Sequence, residues 1–263
     1  MPFELLIFPL LGVVAGLIAG LLGVGGGIVI VPVLIFTFQL LQFSEQVLTH
    51  MAVGTSLATI IITSFGSVKQ HHAKGAVRWD IFKSLAVGLA IGAFAGAEVA
   101  DLLNGRILQI LFGGFALLIA MQMALGLAPN ARRGLPNQVG LMASGGVIGV
   151  ASAVFGIGGG SLTVPFLTLC NVKMQEAVGT SSAGGMPIAI AGAIGFVLAG
   201  WGVQTLPSFS VGYIYLPALL GIGITSIIFS QVGAKLAHRL PATTLKRCFA
   251  VILVFVGIKL IIG

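Results

Sequence analysis

Long apolar stretches alternate with short polar breaks along the whole chain. Five apolar segments come first, at roughly 5–22, 28–41, 47–68, 82–100 and 107–127. A polar, proline-bearing connector follows, running from Ala128 through Arg132 and Arg133 to Asn137. Five more segments lie near 139–156, 161–172, 176–200, 211–234 and 245–262. A helix needs about 20 apolar residues to cross a hydrocarbon core, and most of these runs approach that length. Inside lipid every backbone polar group must find a partner within the chain, which favours helices. The pattern predicts an all-α integral membrane protein, a polytopic helical bundle of about 8–10 membrane segments.

The pattern also repeats. Gly23-Val24-Gly25-Gly26-Gly27 returns as Gly156-Ile157-Gly158-Gly159-Gly160, with Pro32 and Pro165 following at the same distance. Val53-Gly54-Thr55-Ser56 returns as Val178-Gly179-Thr180-Ser181, and Gly96-Ala97 as Gly233-Ala234. Matched motifs in matched order point to an internal duplication. Residues 1–127 form a first membrane repeat and 137–263 a second, joined by a cytoplasmic connector over 128–136. Five segments is an odd number, so the two repeats are expected to have opposite topology. That is the inverted-repeat plan of many secondary transporters.

Composition agrees with the pattern. Hydrophobic residues make up 57% of the 263 positions and charged residues only 7%, against about 25% charged in soluble domains. A water-soluble fold is excluded. The net charge of +7 does not indicate nucleic acid as a partner, because the basic residues fall in short loops. Lys69, Lys74, Arg78, Lys83, Arg132, Arg133, Lys173, Lys235, Arg239, Lys246 and Arg247 can share one side. Only Arg106 and Lys259 then fall on or near the other. The positive-inside rule makes the crowded side cytoplasmic and both termini external, in the cytoplasmic membrane. Glu4 precedes the first apolar run without a basic flank, so that run does not read as a cleaved signal peptide.

The glycines carry the candidate chemistry. Four glycines in five positions break a helix, since each costs about 1 kcal/mol against Ala and permits positive φ. A break at membrane depth is tolerated where it is buried in protein or lines a cavity. The helix that restarts presents free N–H groups at its positive end, which attracts anions. The bland alternative is close helix packing alone. Thr55, Ser56, Thr180 and Ser181 add hydroxyls, whose bland role is bonding to their own helix. The substrate-binding candidates are Gly25, Gly26, Gly27, Thr55, Ser56, Gly158, Gly159, Gly160, Ser161, Thr180 and Ser181. The segments 28–41 and 161–172 are short and read as broken or re-entrant helices. Gly184-Gly185-Met186-Pro187 predicts a further interruption, without a counterpart in the first half.

Other residues read more plainly. Gly88, Gly92 and Gly96 form a small-residue stripe at helical spacing, expected to be a packing seam. None of the six acids falls mid-span, and Glu98 and Asp101 have Arg106 within reach as a partner. His71-His72 belongs to a basic loop; His50 is a lesser candidate for a gate or anion contact. Cys170 and Cys248 read as buried. The acids and histidines are too scattered for a catalytic or metal constellation, so no enzyme and no cofactor is expected. A phosphate-binding P-loop is excluded, since no Lys-Ser/Thr follows the glycines.

Together the doubled glycine motif with its proline and the doubled Val-Gly-Thr-Ser resemble the TauE/SafE family, often described as sulfite exporters. Gly75-Ala76-Val77-Arg78-Trp79 is similar to that family's loop signature, with Arg78 where members often carry an acidic residue. The resemblance covers nearly the whole chain. It implies a membrane protein that moves sulfur-containing anions such as sulfite, sulfonates or sulfoacetate. It supports both glycine motifs and both Thr-Ser pairs as site residues. The expected function is therefore secondary transport of a small oxyanion by alternating access, with the lipid bilayer and the anionic substrate as partners and a homodimer as an option. A channel, a carrier of a non-sulfur substrate and a non-transporting membrane subunit remain alternatives.

Overall fold

The computed structural model describes residues 2–22, 26–125, 134–237 and 242–263. Ten helices lie among them: α1 (Pro2–Leu22), α2 (Gly27–Leu40), α3 (Leu48–Ala73), α4 (Trp79–Asp101), α5 (Gly105–Ala124), α6 (Gln138–Val154), α7 (Gly160–Leu169), α8 (Met174–Ala199), α9 (Leu216–Ala237) and α10 (Ala242–Ile262). A two-residue hairpin, β1 (Ser210–Val211) with β2 (Ile214–Tyr215), precedes α9. The apolar segment expected from 211 therefore starts with an antiparallel turn before its helix. The first motif's Gly23, Val24 and Gly25, most of the connector including Arg132 and Arg133, and Arg239 lie outside the described residues.

Among the described residues, α3, α4, α5 and α8 are long and apolar enough to cross a membrane. The short helices behave differently. At 1.5 Å per residue, α2 rises about 21 Å and α7 about 15 Å, against a core of about 30 Å. Neither is long enough to cross alone.

The helix contacts repeat between the two halves. α1 packs on α9 as α6 packs on α4, and α2 packs on α3 as α7 packs on α8. The contacts use matched glycines. A Cβ on Gly12 would meet the Ile222 backbone and one on Gly16 the Ser226 backbone. Likewise, a Cβ on Gly145 would meet the Leu85 carbonyl and one on Gly149 the Leu89 carbonyl. Gly88, Gly92 and Gly96 abut the carbonyls of Met142, Gly146 and Val150, so the stripe on α4 is a backbone-to-backbone seam. Small residues let helices approach this closely where apolar burial alone cannot drive association in lipid.

At the centre α3 and α8 run antiparallel, with Gly54 against Phe196, Gly192 against Leu57 and Gly185 against Ser64. Their inner faces, including Met51, Leu57, Ile188 and Phe196, belong to one continuous apolar core. α8 runs unbroken through Pro187, so the interruption expected from Gly184–Pro187 does not occur. Burial against neighbours on several sides holds the helix together there, with Gly184 against Leu89 and Gly185 against the Gly158 carbonyl. Proline within a membrane helix is tolerated where surrounding helices re-satisfy the backbone.

Candidate functional site

Of the two expected breaks, the second forms in full, while residues 23–25 of the first lie outside the described residues, which resume at Gly26. α1 ends at Leu22 and α2 begins at Gly27; α6 ends at Val154 and α7 begins at Gly160. Gly26 caps α2, and its carbonyl accepts from the N–H groups of Val29 and Ile30 at 3.0 and 2.9 Å. Gly159 caps α7 in the same way, accepting from Leu162 and Thr163 at 3.0 and 2.7 Å. Gly159 holds φ at +71° and Gly156 at +62°, a region that side chains with a Cβ rarely adopt. The two breaks touch. A Cβ on Gly27 would come within 2.5 Å of the Gly156 carbonyl oxygen and 2.8 Å of the Ile157 Cα.

A cavity of about 390 Å³ lies beside this junction. Gly26 and Ile30 reach it from the first break, and Gly158, Gly160 and Val164 from the second. α3 contributes Ile60, Thr63, Ser64, Ser67 and Gln70; α8 contributes Val178, Ser181 and Ser182; α9 contributes Ser226, Ser230 and Gln231. The cavity lies toward the end of α3 that carries His71 and His72 and the end of α8 next to Lys173.

The structure thus brings Gly26, Gly158, Gly160 and Ser181 to one space. The other candidates are placed elsewhere. Gly27 sits in the contact between the breaks, Gly159 faces Ile188, and Ser161 is buried in the first turn of α7. Gly25 lies outside the described residues. Ser56 Oγ donates to the Gly156 carbonyl at 2.8 Å, joining the halves. Thr55 Oγ1 accepts from the Tyr215 N–H at 3.0 Å, and Thr180 Oγ1 accepts from the Arg78 N–H at 3.0 Å. Each of these threonines therefore holds the chain just before or at the start of a helix in the opposite half.

Among the described residues, three buried hydroxyls near the second break have no hydrogen-bond partner: those of Ser152, Thr163 and Ser181. Thr163 Oγ1 and Ser152 Oγ lie 3.3 and 4.0 Å from where a Gly159 Cβ would stand. A buried hydroxyl without a partner costs about 1–3 kcal/mol.

Sequence reading missed the polar wall formed by Ser64, Ser67, Gln70, Ser226, Ser230 and Gln231. The signal was present. Ser64, Ser67 and Gln70 recur at three-residue spacing, and Ser226 and Ser230 at four, so each set shares one face of a helix.

Two other expectations change. Arg106 donates to the carbonyls of Leu260 and Ile261 at 3.1 and 2.6 Å, capping the end of α10 instead of pairing with Glu98 or Asp101. Asp101 instead accepts from the Tyr213 hydroxyl at 2.9 Å. Burial first, and then this bond, raise the Tyr213 phenol above its ordinary pKa. His50 is buried, and its Nε2 lies 3.1 and 3.0 Å from the carbonyls of Ala100 and Leu103. Carbonyls only accept, so Nε2 carries the proton and ties α3 to the end of α4.

The basic loop between α3 and α4 carries a partly exposed ion-pair cluster. Arg78 pairs with Asp80 at 2.6 Å and with Glu176 of α8 at 3.3 Å. The Asp80 hydrogen bond is the main reason that the guanidinium is held protonated still more firmly than usual.

Comparison with known proteins fits this architecture. The sulfite exporter TauE/SafE family model matches residues 8–260. The chain belongs to the TauE/SafE family. A "Probable membrane transporter protein" of Haemophilus influenzae is 38% identical, covering 95% of this chain and 96% of its own. Similar proteins of the same description occur in Methanocaldococcus jannaschii, at 29% identity over 98% and 97%, and Bacillus subtilis, at 28% over 99% and 98%. No solved structure matches. The protein is a membrane transporter of this family.

Proposed function

We propose that this transporter moves a small oxyanion, sulfur-containing as the family name suggests, across the cytoplasmic membrane by alternating access. The observation that carries the reading is the cavity at which both helix breaks meet. α7 starts there, and the positive end of a helix attracts an anion without a charged side chain in lipid. The amides of Gln70 and Gln231 offer further donors, whereas the Thr63, Ser226 and Ser230 hydroxyls already donate to carbonyls of their own helices. Gly26, Gly158, Gly160 and Ser181 are the substrate contacts in this reading.

The halves are read as inverted repeats, with residues 1–127 and 137–263 rocking against each other. The antiparallel α3 and α8 and the repeated helix contacts support this. With the basic loops inside, both termini are external and the cavity faces the cytoplasm.

Flux into proteoliposomes tests the reading. Sulfite, sulfate, thiosulfate, sulfoacetate and a plain carboxylate are offered with and without a pH gradient. Selective movement of a sulfur oxyanion is expected. Absence of flux for every anion, from protein shown to be folded, overturns the proposal.

A further inference from the structure

The glycines of the second break lack side chains for reasons the backbone and its neighbours supply. Gly156 and Gly159 hold positive φ, and a Cβ on Gly158 would meet Ile60 at 3.1 Å. Gly66 has neither reason. It is not among the positive-φ glycines, it lies inside α3, which continues to Ala73, and a Cβ there would meet no described atom within 4 Å. Glycine in a helix interior costs stability against alanine. The position therefore gives up helix stability without gaining a packing contact.

Gly66 lines the cavity and stands where the cavity opens. Ala15, Ile30, Ile60 and Ser64 of its lining are buried. Phe65, Gly66 and Gln70 of α3 and Gln231 of α9 are exposed, so these four form the mouth among the described residues. The space behind them exceeds what an inorganic oxyanion needs. A cavity of about 150 Å³ is enough to hold a benzene ring, and this one is about 390 Å³. Ile30, Ile60, Val164 and Val178 offer apolar wall for a substituent on the anion. The width of the mouth, rather than the volume inside, then limits what enters.

We propose that Gly66 is a specificity-determining residue: its missing side chain keeps the mouth open and sets the largest anion that reaches the helix breaks. This rests on the reading of the cavity as the anion site. A side chain at this position starts in open space, so it narrows the entrance without disturbing the packing of α3. The filter acts by bulk and not by charge. An anion with a large substituent is turned away before a small one with the same headgroup.

Methanesulfonate and benzenesulfonate share a headgroup and a single charge and differ in bulk, so they are the probes. Each is set to compete with uptake of the transported anion into proteoliposomes holding the full-length protein, Gly66→Leu or Gly114→Leu. Gly114 of α5 is likewise exposed, with nothing within 4 Å of its Cβ, but does not line the cavity. Both probes are expected to compete in the unmodified protein. Gly66→Leu is expected to penalise benzenesulfonate at least about tenfold more than methanesulfonate, a moderate steric cost. Its melting temperature should equal or exceed that of the unmodified protein. Gly114→Leu should leave the ratio of the two probes where it was. Gly66→Cys supplies a graded version, labelled after reconstitution with thiol reagents of increasing size. The unmodified protein is labelled in parallel, because it carries Cys170 and Cys248. Larger labels are expected to shift the ratio further.

Equal penalties for the two probes, or no penalty, in Gly66→Leu or in labelled Gly66→Cys overturn the size filter. So does an equal shift from Gly114→Leu, or failure of benzenesulfonate to compete in the unmodified protein. If Gly66→Leu does not fold, labelled Gly66→Cys decides alone. In each of these cases anion transport itself survives. Failure of the folded, unmodified protein to move any anion removes the transport reading and this inference with it.

Discussion

Thr55 and Thr180 occupy equivalent places in the duplicated motif and make equivalent bonds, each accepting a backbone N–H of the opposite half at 3.0 Å. Gly54 and Gly179 before them pack against the carbonyls of Tyr213 and Ala76 in turn. Around the Thr55 joint the setting is aromatic. Tyr215 is 5% exposed and lies edge-on to Phe8, Phe38 and Phe43, with centroids 5.2–5.7 Å apart. Around the Thr180 joint the setting is ionic and wet: the Arg78 side chain is 40% exposed and pairs with Asp80 and Glu176. The cavity lies at the ionic end. Two joints built on the same sequence motif have therefore been filled with two chemistries. Apolar rings in a dry core make a firm seal, whereas an exposed ion pair contributes little and is screened by salt.

The contrast is breakable first at the seal. Tyr215→Ala removes a buried ring and is expected to lower stability by about 3–5 kcal/mol, read as a large fall in melting temperature in detergent. Thr55→Val is next: it strands the buried Tyr215 N–H, at about 1–3 kcal/mol. Thr180→Val leaves a partly solvated N–H and should cost less. Equal losses for the two threonines would dissolve the distinction between the joints.

A fourth change runs in the opposite direction. Thr163→Val replaces a buried hydroxyl that has no partner with a methyl of similar size. It should raise stability by about 1 kcal/mol, measured by the same melt. The smallest effect belongs to Glu176→Gln. Loss of a partly exposed ion pair should change stability by less than about 1 kcal/mol. The difference from the unmodified protein should shrink as salt rises. A salt-independent loss of several kcal/mol would place that pair among the buried, structural contacts.

Much of the architecture was legible in the residues because lipid imposes a simple code. Apolar run length marks membrane helices, and glycine clusters mark where such helices stop. The break before α7, the α4 seam and the burial of Cys170 follow from local rules of that kind. The hairpin before α9 and the continuity of α8 through Pro187 were not legible. The first depends on Phe209, Gly212 and their neighbours closing a turn, and the second on helices that surround α8. Arg106 was misassigned for the same reason: its acceptors at Leu260 and Ile261 lie more than 150 positions away.

The candidate site divides along the same line. By itself the sequence determined a polytopic helical membrane protein, the glycine break before α7 and the family. These depend on composition, period and motif, which are properties of neighbouring residues. Only the tertiary structure decided which polar groups meet at the breaks. It committed Ser56, Thr55 and Thr180 to contacts between the halves, left Ser181 without a partner at a cavity wall, and brought Ser64 and Ser226 to the same space. A hydroxyl's role is set by whichever donor or acceptor stands within about 3 Å of it. Across a bundle of separate helices, that neighbour comes from a distant part of the chain.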